Sequence, residues 1–482
     1  MSESPATTVS TPQHGSLLAG ACLLYLLLPN VLFLAGWVQP WLAWPLIVLL
    51  FFGCFHLWRR LGDMRPVRGA GERLHLAVVL LVGAVVTYLV GFNGDFPQSS
   101  DFIVRNAVYD TLVRSDWPLH SERGEYFVYY HAFWLPPALV SKCLGGLVPP
   151  LAVLVLWVSA GVVLISLCLY RRLGRRTLSF LVVMMGLACM QEVLGRADVI
   201  ARYLPVQGAV DAYYRLVPQP LYYVGMWHQL VSTYNHGIMV VLFMAMVHGR
   251  MLRGVALLPV ADLLVVSSPL GAVAVLVYLV FLQQPRWRRL LLPLFRQPLL
   301  YAALVLLPVL GLYFGSGEGS RCVPAWQGYV FAGKPLQLAV AYVLGSLCIM
   351  LPLVVCGWRY RRTAGFRAAA AVFLLLPWIW LGVDNNELML KGTAVAYFFT
   401  AVFMHGRWPH AGRAMRCCIL LLFAASAYIP FLDIQHRLRE FGTSEQQHES
   451  NIHNEWQGHL DHPEHHWYSR FWGKEAPLFY KK

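Results

Sequence analysis

Long, nearly uncharged runs of Leu, Val, Ala and Phe follow one another along most of this chain. Inside a bilayer every backbone N–H and C=O must find a partner within the protein, so such runs can cross only as helices or as a closed barrel. They lack the short apolar–polar alternation of barrel strands. Hydrophobic residues make up 58% of the 482 positions and charged residues 13%. The sequence therefore predicts an all-α, polytopic transmembrane helix bundle.

The net charge of +14 is concentrated in short Arg-rich loops between the apolar runs. This distribution is typical of the cytoplasmic loops of membrane proteins and argues against a nucleic-acid-binding surface. The loops predicted to be cytoplasmic are residues 59–73, 171–176, 250–253, 286–296, 359–367 and 407–416. The segments between them carry most of the acidic, aromatic and histidine residues, and we expect these segments to face outside.

Charge parity restricts which runs can cross. If residues 127–147 formed a full span after an external loop, the basic loop at 171–176 would lie outside. We therefore predict that this stretch, interrupted by Pro136 and Pro137, is a re-entrant or surface helix on the external side. The same argument divides residues 255–283 into two short spans around a Ser-Ser-Pro break at 267–269. The total is roughly twelve spans.

These predictions give a simple organisation of the chain. Residues 1–15 form a cytoplasmic N-terminal tail, and residues 16–432 form the bundle, including external loops at 93–150 and 195–236. Residues 433–482 form an external, His-rich C-terminal tail. Four of its histidines have helix-face spacing, but a proline lies among them and no cysteine is near, so we assign no metal site there.

The first external loop is unusually acidic and aromatic. It reads GFNGDFPQSSDFIVRNAVYDTLVRSDWPLHSERGEYFVYYHAFWLPP over residues 91–137. Such a segment is too charged for the bilayer core and too aromatic for a simple linker, so we predict that it folds at the membrane surface. A carboxylate just past a span is also where a membrane-embedded enzyme would place its chemistry.

The order of features in this region resembles that of the GT-C glycosyltransferases. The features are Asp101, the Trp117–Pro118 pair, the run YYHAFWLPPALVSK at 129–142 and the basic run LYRRLGRR at 169–176. The resemblance implies an external Pro-Pro helix and a bacterial plasma-membrane enzyme. It also implies transfer of a sugar from a polyprenyl-phosphate carrier to an envelope glycan, lipid or protein acceptor.

More closely, the chain resembles uncharacterised bacterial polytopic proteins of GT-C type. The loop GDFPQSSD at 94–101, the segment MWHQLVSTYNHG at 226–237 and the loop DNNELMLKG at 384–392 carry this resemblance. The last departs from the expected pattern of Asn-Asp, an apolar residue, Met and Arg. Lys391 supplies the cation there, but not the bidentate fork of Arg, which weakens a phosphate-binding role without excluding it.

Asp101 is the first candidate for the base that deprotonates the acceptor, and Asp95 is the second. A carboxylate at a low-dielectric edge can act as a base if its pKa is raised. Asp101 can equally be a helix N-cap, because it follows Ser99 and Ser100 where a helix would begin. Arg105, one turn later, can bind substrate or simply pair with Asp101.

The candidate substrate-binding residues have hydrogen-bonding or aromatic side chains suited to a sugar or a phosphate. The predicted substrate-binding residues are Arg105, His131, Arg196, Trp227, His228, Tyr234, Asn235, His236, Asn386, Glu387 and Lys391. The aromatic residues can instead form an interfacial belt, and the loop at 384–391 can be a solvated turn. Asp262 lies within an apolar run, where a carboxylate is either functional or paired inside the bundle.

Two other functions stay open at this stage. The chain can be a transporter or flippase for a lipid-linked or polar solute, or a non-catalytic membrane scaffold. A transporter is expected to have paired broken helices and charges at the membrane midplane. No internal repeat is visible and most polar groups lie in loops, which favours surface chemistry. The carboxylates suit a reaction with a divalent cation or without one, and the sugar, the acceptor and the oligomeric state are not determined.

Overall fold

The computed structural model describes most of the predicted bundle. The described residues are 16–61, 69–92, 95–96, 100–120, 124–188, 225–283, 293–316, 322–327, 333–381, 386–441, 472–473 and 480–481. Within them, eight helices are long and apolar enough to cross a membrane, and three shorter apolar helices lie at Tyr234–His248, Pro269–Leu282 and Ala364–Trp378. The chain is therefore an all-α bundle of membrane-protein type, as the sequence predicts.

The N-terminal half begins with three long apolar helices, and most of the helices that follow are shorter. Their bounds are α1 Leu17–Trp37, α2 Pro40–Trp58, α3 Ala70–Leu89, α4 Ser100–Arg114, α5 Leu135–Leu144, α6 Pro150–Leu173, α7 Thr177–Met185, α8 Met226–Ser232 and α9 Tyr234–His248. Gly174 ends α6 with φ 55°, a left-handed conformation that favours glycine and turns the chain toward α7.

The helices of the C-terminal half are interrupted at the Ser-Ser-Pro sequence of residues 267–269. Their bounds are α10 Leu257–Asp262, α11 Pro269–Gln283, α12 Pro298–Gly315, α13 Pro335–Gly357, α14 Ala364–Leu375, α15 Glu387–Gly392, α16 Ala394–Arg407 and α17 Arg413–Arg439. The break predicted at residues 267–269 is present, since α11 begins at Pro269. The six-residue α10 is far shorter than a span of about twenty residues, so the first of the two predicted short spans is only a partial one.

Within the described ranges, four very short strands form two antiparallel pairs. Strand β1 Tyr126–Phe127 pairs antiparallel with β4 Trp472–Gly473, and β2 Cys322–Pro324 pairs antiparallel with β3 Ile379–Leu381. Tyr480 forms an isolated bridge with Val38, at the end of α1. The end of the tail is thus held against the bundle. Helix α17 runs to Arg439, so the bundle extends beyond the boundary predicted at residue 432.

The Pro-Pro segment does not cross the bundle. Pro136 and Pro137 occupy the first turn of α5, where a missing N–H breaks no helical hydrogen bond. The ten-residue helix is about 15 Å long, half of the roughly 30 Å needed for a span. It ends at Gly145, in the left-handed conformation with φ 57°. A helix of this length is too short to cross a bilayer, and the re-entrant or surface placement of residues 127–147 stays a prediction.

Close backbone contacts hold the long helices together. A Cβ on Gly53 of α2 would lie 2.8 Å from the Leu299 backbone nitrogen of α12. A Cβ on Gly161 of α6 would lie 2.6 Å from Ile238 Cγ2 of α9. Small residues at helix crossings allow this approach in membranes, where packing rather than water exclusion drives association. Only Val79, Gly83 and Thr87 of α3 are buried, which leaves most of that helix facing outward.

Candidate functional site

A group of polar and aromatic side chains is buried where several helices begin, end or break. It draws on α4, the start of the 3-10 turn before α5, the first turn of α9, the break before α11, and α15. We call this group the central polar cluster; its members are Arg105, Tyr130, Tyr234, His236, Ser268, Glu387 and Lys391. Most of these segments are far apart in sequence, so the cluster exists only in the folded protein.

Lys391 lies at the centre of the cluster. Its ammonium donates hydrogen bonds to Glu387 Oε2 and to the Tyr130 hydroxyl, and it lies 4.5 Å from the centroid of the Tyr130 ring. The Lys391 side chain is only 4% exposed, whereas that of Glu387 is 25% exposed. A buried ammonium needs such partners, because desolvation of an unpaired charge costs several kcal/mol.

Side chains form hydrogen bonds with both ends of helix α15. The Asn386 side chain caps it by accepting from the Met389 N–H at 3.3 Å, and its Nδ2 donates to Ile379 O of β3 at 2.8 Å. At the other end, Gln229 Nε2 donates to Leu390 O at 3.1 Å. Carbonyls in the last turn of a helix have no intrahelical partner, so this bond satisfies one of them. The predicted substrate residue Asn386 thus has a structural role.

His236 is held by Ser268 on one side of its ring. Its Nδ1 lies 3.1 Å from Ser268 Oγ, and its ring centroid lies 4.5 Å from that of Tyr130 in an edge-to-face arrangement. The side chain is fully buried. Its Nε2 is buried and has no hydrogen-bond partner among the residues that the structure describes. One nitrogen is therefore fixed and the other is left for a ligand or a water.

Arg105 brings a second buried cation to the cluster. Its guanidinium carbon lies 5.9 Å from the centroid of the Tyr234 ring, a cation–π distance, and the residue is 6% exposed. The Tyr234 hydroxyl accepts a 2.7 Å hydrogen bond from the Trp134 indole. Phe92 packs edge-on against the same ring, with centroids 4.5 Å apart. The predicted residues Arg105 and Tyr234 are thus brought together.

Lys391 and Arg105 both act electrostatically on Tyr129, which packs against Tyr130. Burial raises the pKa of the Tyr129 phenol well above its usual range, the neighbouring Tyr130 adds to this, and Lys391 and Arg105 oppose it. The Tyr129 and Tyr130 rings lie 4.0 Å apart. The same two cations also act electrostatically on His236. The cluster therefore combines two buried cations with aromatic faces.

His131 has a different environment from the one we predict. It is fully buried among aromatic rings, the nearest being Trp37 with ring centroids 4.4 Å apart. Its Nδ1 lies 2.9 Å from Tyr129 O, and burial lowers the pKa of His131 to about 3, an effect that this carbonyl partly opposes. The ring is therefore neutral at ordinary pH. We assign it to the packing between α1 and the turn before α5.

Three other predicted residues lie apart from the cluster or have other partners. The Trp227 indole donates to Asp433 Oδ2 of α17 at 2.7 Å, while the next residue, His228, is exposed. Asp95 accepts a 2.8 Å hydrogen bond from the exposed hydroxyl of Tyr88, at the end of α3. Asp95 is thus near the outward face of α3 rather than within the cluster.

Of the remaining predicted residues, Asn235 and Asp101 lie in described helices, whereas Arg196 lies outside the described residues. Asn235 is fully buried beside His236, and neither of its side-chain polar atoms has a hydrogen-bond partner within the described ranges. Asp101 is the second residue of α4, four residues before Arg105 on the same helix face. Arg196, most of the loop at 195–236, residues 1–15 and most of the His-rich tail lie outside the described residues.

Sequence reasoning missed two members of the cluster and one supporting residue. Tyr130 lies in the aromatic run that carries the resemblance, Ser268 lies in the predicted Ser-Ser-Pro break, and Gln229 lies in the MWHQLVSTYNHG segment. Polar residues at helix breaks were the available signal, because free backbone groups and polar side chains tend to meet where a membrane helix is interrupted.

An apolar cavity of about 140 Å³ is lined by Gly237, the residue after His236, and by none of the cluster's members. It lies between α3, α6, α7 and the α8–α9 pair, with Val86, Ile165, Met184 and Ile238 among its lining residues. Gln229, which also bonds to the last turn of α15, contributes to the same wall. One side chain thus connects the cavity with the helix that carries Lys391.

In the described ranges, no group of three or more His, Cys, Asp or Glu side chains could hold a metal ion. Comparisons with models of known protein families, with curated proteins and with solved structures found no match. A function for this chain therefore has to be argued from the chemistry of the central polar cluster.

Proposed function

We propose that this chain is a membrane glycosyltransferase of GT-C type that takes a sugar from a polyprenyl-phosphate carrier. The observation that carries the proposal is the convergence of two buried cations, Lys391 and Arg105, on aromatic rings. Cations that donate charge-assisted hydrogen bonds suit a phosphate, and aromatic faces with hydrogen-bonding neighbours suit a sugar. The chain offers both chemistries in one place.

The apolar cavity supports a lipid-borne substrate. Its walls are almost wholly apolar, and it lies beside α3, which has few buried residues. A chain of isoprenoid or acyl type would gain roughly 25 cal/mol for each Å² of apolar surface it removes from water. Gln229 would then lie between the apolar chain of the carrier and α15, because it lines the cavity and bonds to Leu390 O.

We infer that the cluster faces the external side. His236 lies in the first turn of α9, whereas Arg250 follows the end of that helix. Lys391 precedes α16, whereas Arg407 ends it. If the basic ends are cytoplasmic, the cluster lies on the opposite side. An internal N-terminus and an external tail require an odd number of crossings, so the count of roughly twelve would become eleven or thirteen.

A transporter or flippase is the second candidate, and one observation favours it. Two interrupted pairs of helices contribute to the cluster: α8 and α9 meet at Thr233, and α10 and α11 are separated by residues 263–268. Broken helices around a buried polar site are typical of transporters. Binding of a lipid-linked sugar without turnover would agree with this candidate.

The test is donor binding and turnover by the purified protein in nanodiscs. The protein would be offered a panel of radiolabelled polyprenyl-phosphate sugars, with wild type compared with Lys391→Met and Lys391→Arg. The matched control is Arg416→Met, which removes an exposed cation at the other end of the bundle. We expect transfer or hydrolysis from one carrier, weakened at least about tenfold in Lys391→Met.

The proposal fails if the intact wild-type protein binds none of the carriers. It also fails in its present form if Lys391→Met and Arg416→Met behave alike. Partial recovery in Lys391→Arg is expected, because the guanidinium keeps the charge but not the shape of the ammonium.

A further inference from the structure

We propose that His236 Nε2, rather than a carboxylate of the first loop, is the base that takes the acceptor's proton. The inference rests on the proposed transferase function. It also gives a role to the buried nitrogen that has no hydrogen-bond partner within the described ranges.

His236 Nδ1 lies 3.1 Å from Ser268 Oγ, at the break before α11. A neutral imidazole carries a proton on one nitrogen and a lone pair on the other, and the bond made by one nitrogen sets the state of the other. If Nδ1–H donates to Ser268, the lone pair is on Nε2. Ser268 is then a positioning residue for that tautomer.

Aromatic and charged side chains surround the His236 ring. His236 packs edge-to-face with Tyr130, whose hydroxyl accepts from Lys391. Its charged neighbours are Lys391, which pairs with Glu387, and Arg105. A neutral imidazole with its lone pair on Nε2 is the form that can accept the acceptor's proton.

Asp95 and Glu387 are less suited than His236 Nε2 to take the acceptor's proton. Asp95 is engaged by the Tyr88 hydroxyl at 2.8 Å, near the outward face of α3 and away from the cluster. Glu387 is committed to an ion pair with Lys391. His236 Nε2, by contrast, has no hydrogen-bond partner within the described ranges, and it lies in the cluster that contains both cations.

The reaction balances without a further reactant. Nε2 accepts the proton of an acceptor hydroxyl, and the oxygen's electron pair forms the new bond to the anomeric carbon. The bond from that carbon to the carrier phosphate breaks, and its electron pair leaves with the phosphate, beside Lys391 and Arg105. The imidazolium then gives its proton to the departing phosphate, and His236 returns to its neutral form.

The experiment compares wild type with His236→Gln in nanodiscs, measuring donor binding and transfer separately. The control is His248→Gln, on the same helix about three turns away. We expect His236→Gln to bind the polyprenyl-phosphate sugar as wild type does and to transfer about 100-fold more slowly. Added imidazole should restore part of the rate in His236→Gly.

A second pair of variants keeps the inference testable if substitutions at position 236 do not fold. Ser268→Ala should lower kcat with little change in KM. Ser268→Thr should keep kcat close to the wild-type value, because threonine retains the hydroxyl that orients the His236 ring. Normal transfer by a folded His236→Gln or by Ser268→Ala would overturn the role of His236 while leaving the transferase proposal intact. A wild-type protein that binds no donor would overturn both.

Discussion

The Trp227 indole donates a 2.7 Å hydrogen bond to Asp433 Oδ2, and this bond joins α8 to α17. The same oxygen accepts from Arg437 Nε at 2.7 Å, and Arg437 Nη1 donates to Val90 O at the end of α3 at 2.9 Å. Three segments distant in sequence are therefore connected through one carboxylate.

Removing that carboxylate should destabilise the bundle. In Asp433→Leu, the buried Arg437 loses an ion-pair partner and Trp227 loses its acceptor, at a cost of about 2 to 3 kcal/mol in the free energy of unfolding. The measurement is thermal unfolding in detergent with a thiol-reactive dye, which reports exposure of the buried Cys54 and Cys356. Glu440→Gln is the control, since its pair with His436 is exposed at both partners. Equal melting temperatures would contradict the prediction.

Stability should fall with decreasing pH because of His131. Burial lowers the pKa of its imidazole to about 3 in the folded protein, against about 6.5 when unfolded. The unfolded state therefore binds the proton more readily. The contribution of His131 is complete above pH 6.5 and is lost as pH falls toward 3.

The expected loss between pH 7.5 and pH 5 is about 2 kcal/mol. His131→Gln should flatten this part of the pH dependence, even though it also lowers stability at neutral pH. The measurement is the unfolding temperature of both proteins across that pH range. Parallel curves for wild type and variant would show that His131 does not titrate as its burial implies.

A methyl group at Gly53 should separate α2 from α12. The added Cβ would lie 2.8 Å from the Leu299 backbone nitrogen, and backbone cannot move aside as a flexible side chain can. We expect Gly53→Ala to cost about 1 to 3 kcal/mol. Gly311→Ala is the matched control, because nothing lies within 4 Å of its new Cβ. Its effect should be neutral or slightly stabilising, through better helix propensity. A destabilised control would point to a general effect of Gly substitution.

The two carboxylates of the first loop should not be equivalent. Asp101 shares a face of α4 with Arg105, whereas Asp95 bonds to the exposed Tyr88. We expect Asp101→Asn to reduce donor turnover through its neighbour Arg105 rather than by removing the base, and Asp95→Asn to leave turnover within about twofold. Radiolabelled transfer in nanodiscs measures both. A larger loss in Asp95→Asn would move the reactive region toward the end of α3.

Much of the architecture follows from local sequence. The apolar runs predict the helices because hydrocarbon leaves few alternatives for the backbone. Pro136 and Pro137 predict the start of a short helix, and the Ser267–Ser268–Pro269 break is observed because proline cannot continue the preceding turn. The end of α17 was less predictable, because Pro430 lies inside the helix without ending it and the helix continues to Arg439.

The assignment of roles within the site depended on tertiary contacts. His131 and His236 both lie in aromatic-rich segments and look alike in sequence. Only packing distinguishes them: His131 is enclosed by rings and bonded to a carbonyl, whereas His236 meets Ser268 and lies beside the Lys391–Tyr130 pair.

The sequence by itself determined that this chain is a helical membrane protein, because hydropathy acts locally along each run. It also pointed to the segments that supply the central polar cluster. Only the tertiary structure decided which polar residues meet, because the contact between Tyr130 and Lys391 joins positions 261 residues apart. Contacts of that separation depend on how all the intervening helices pack, and no local pattern encodes them.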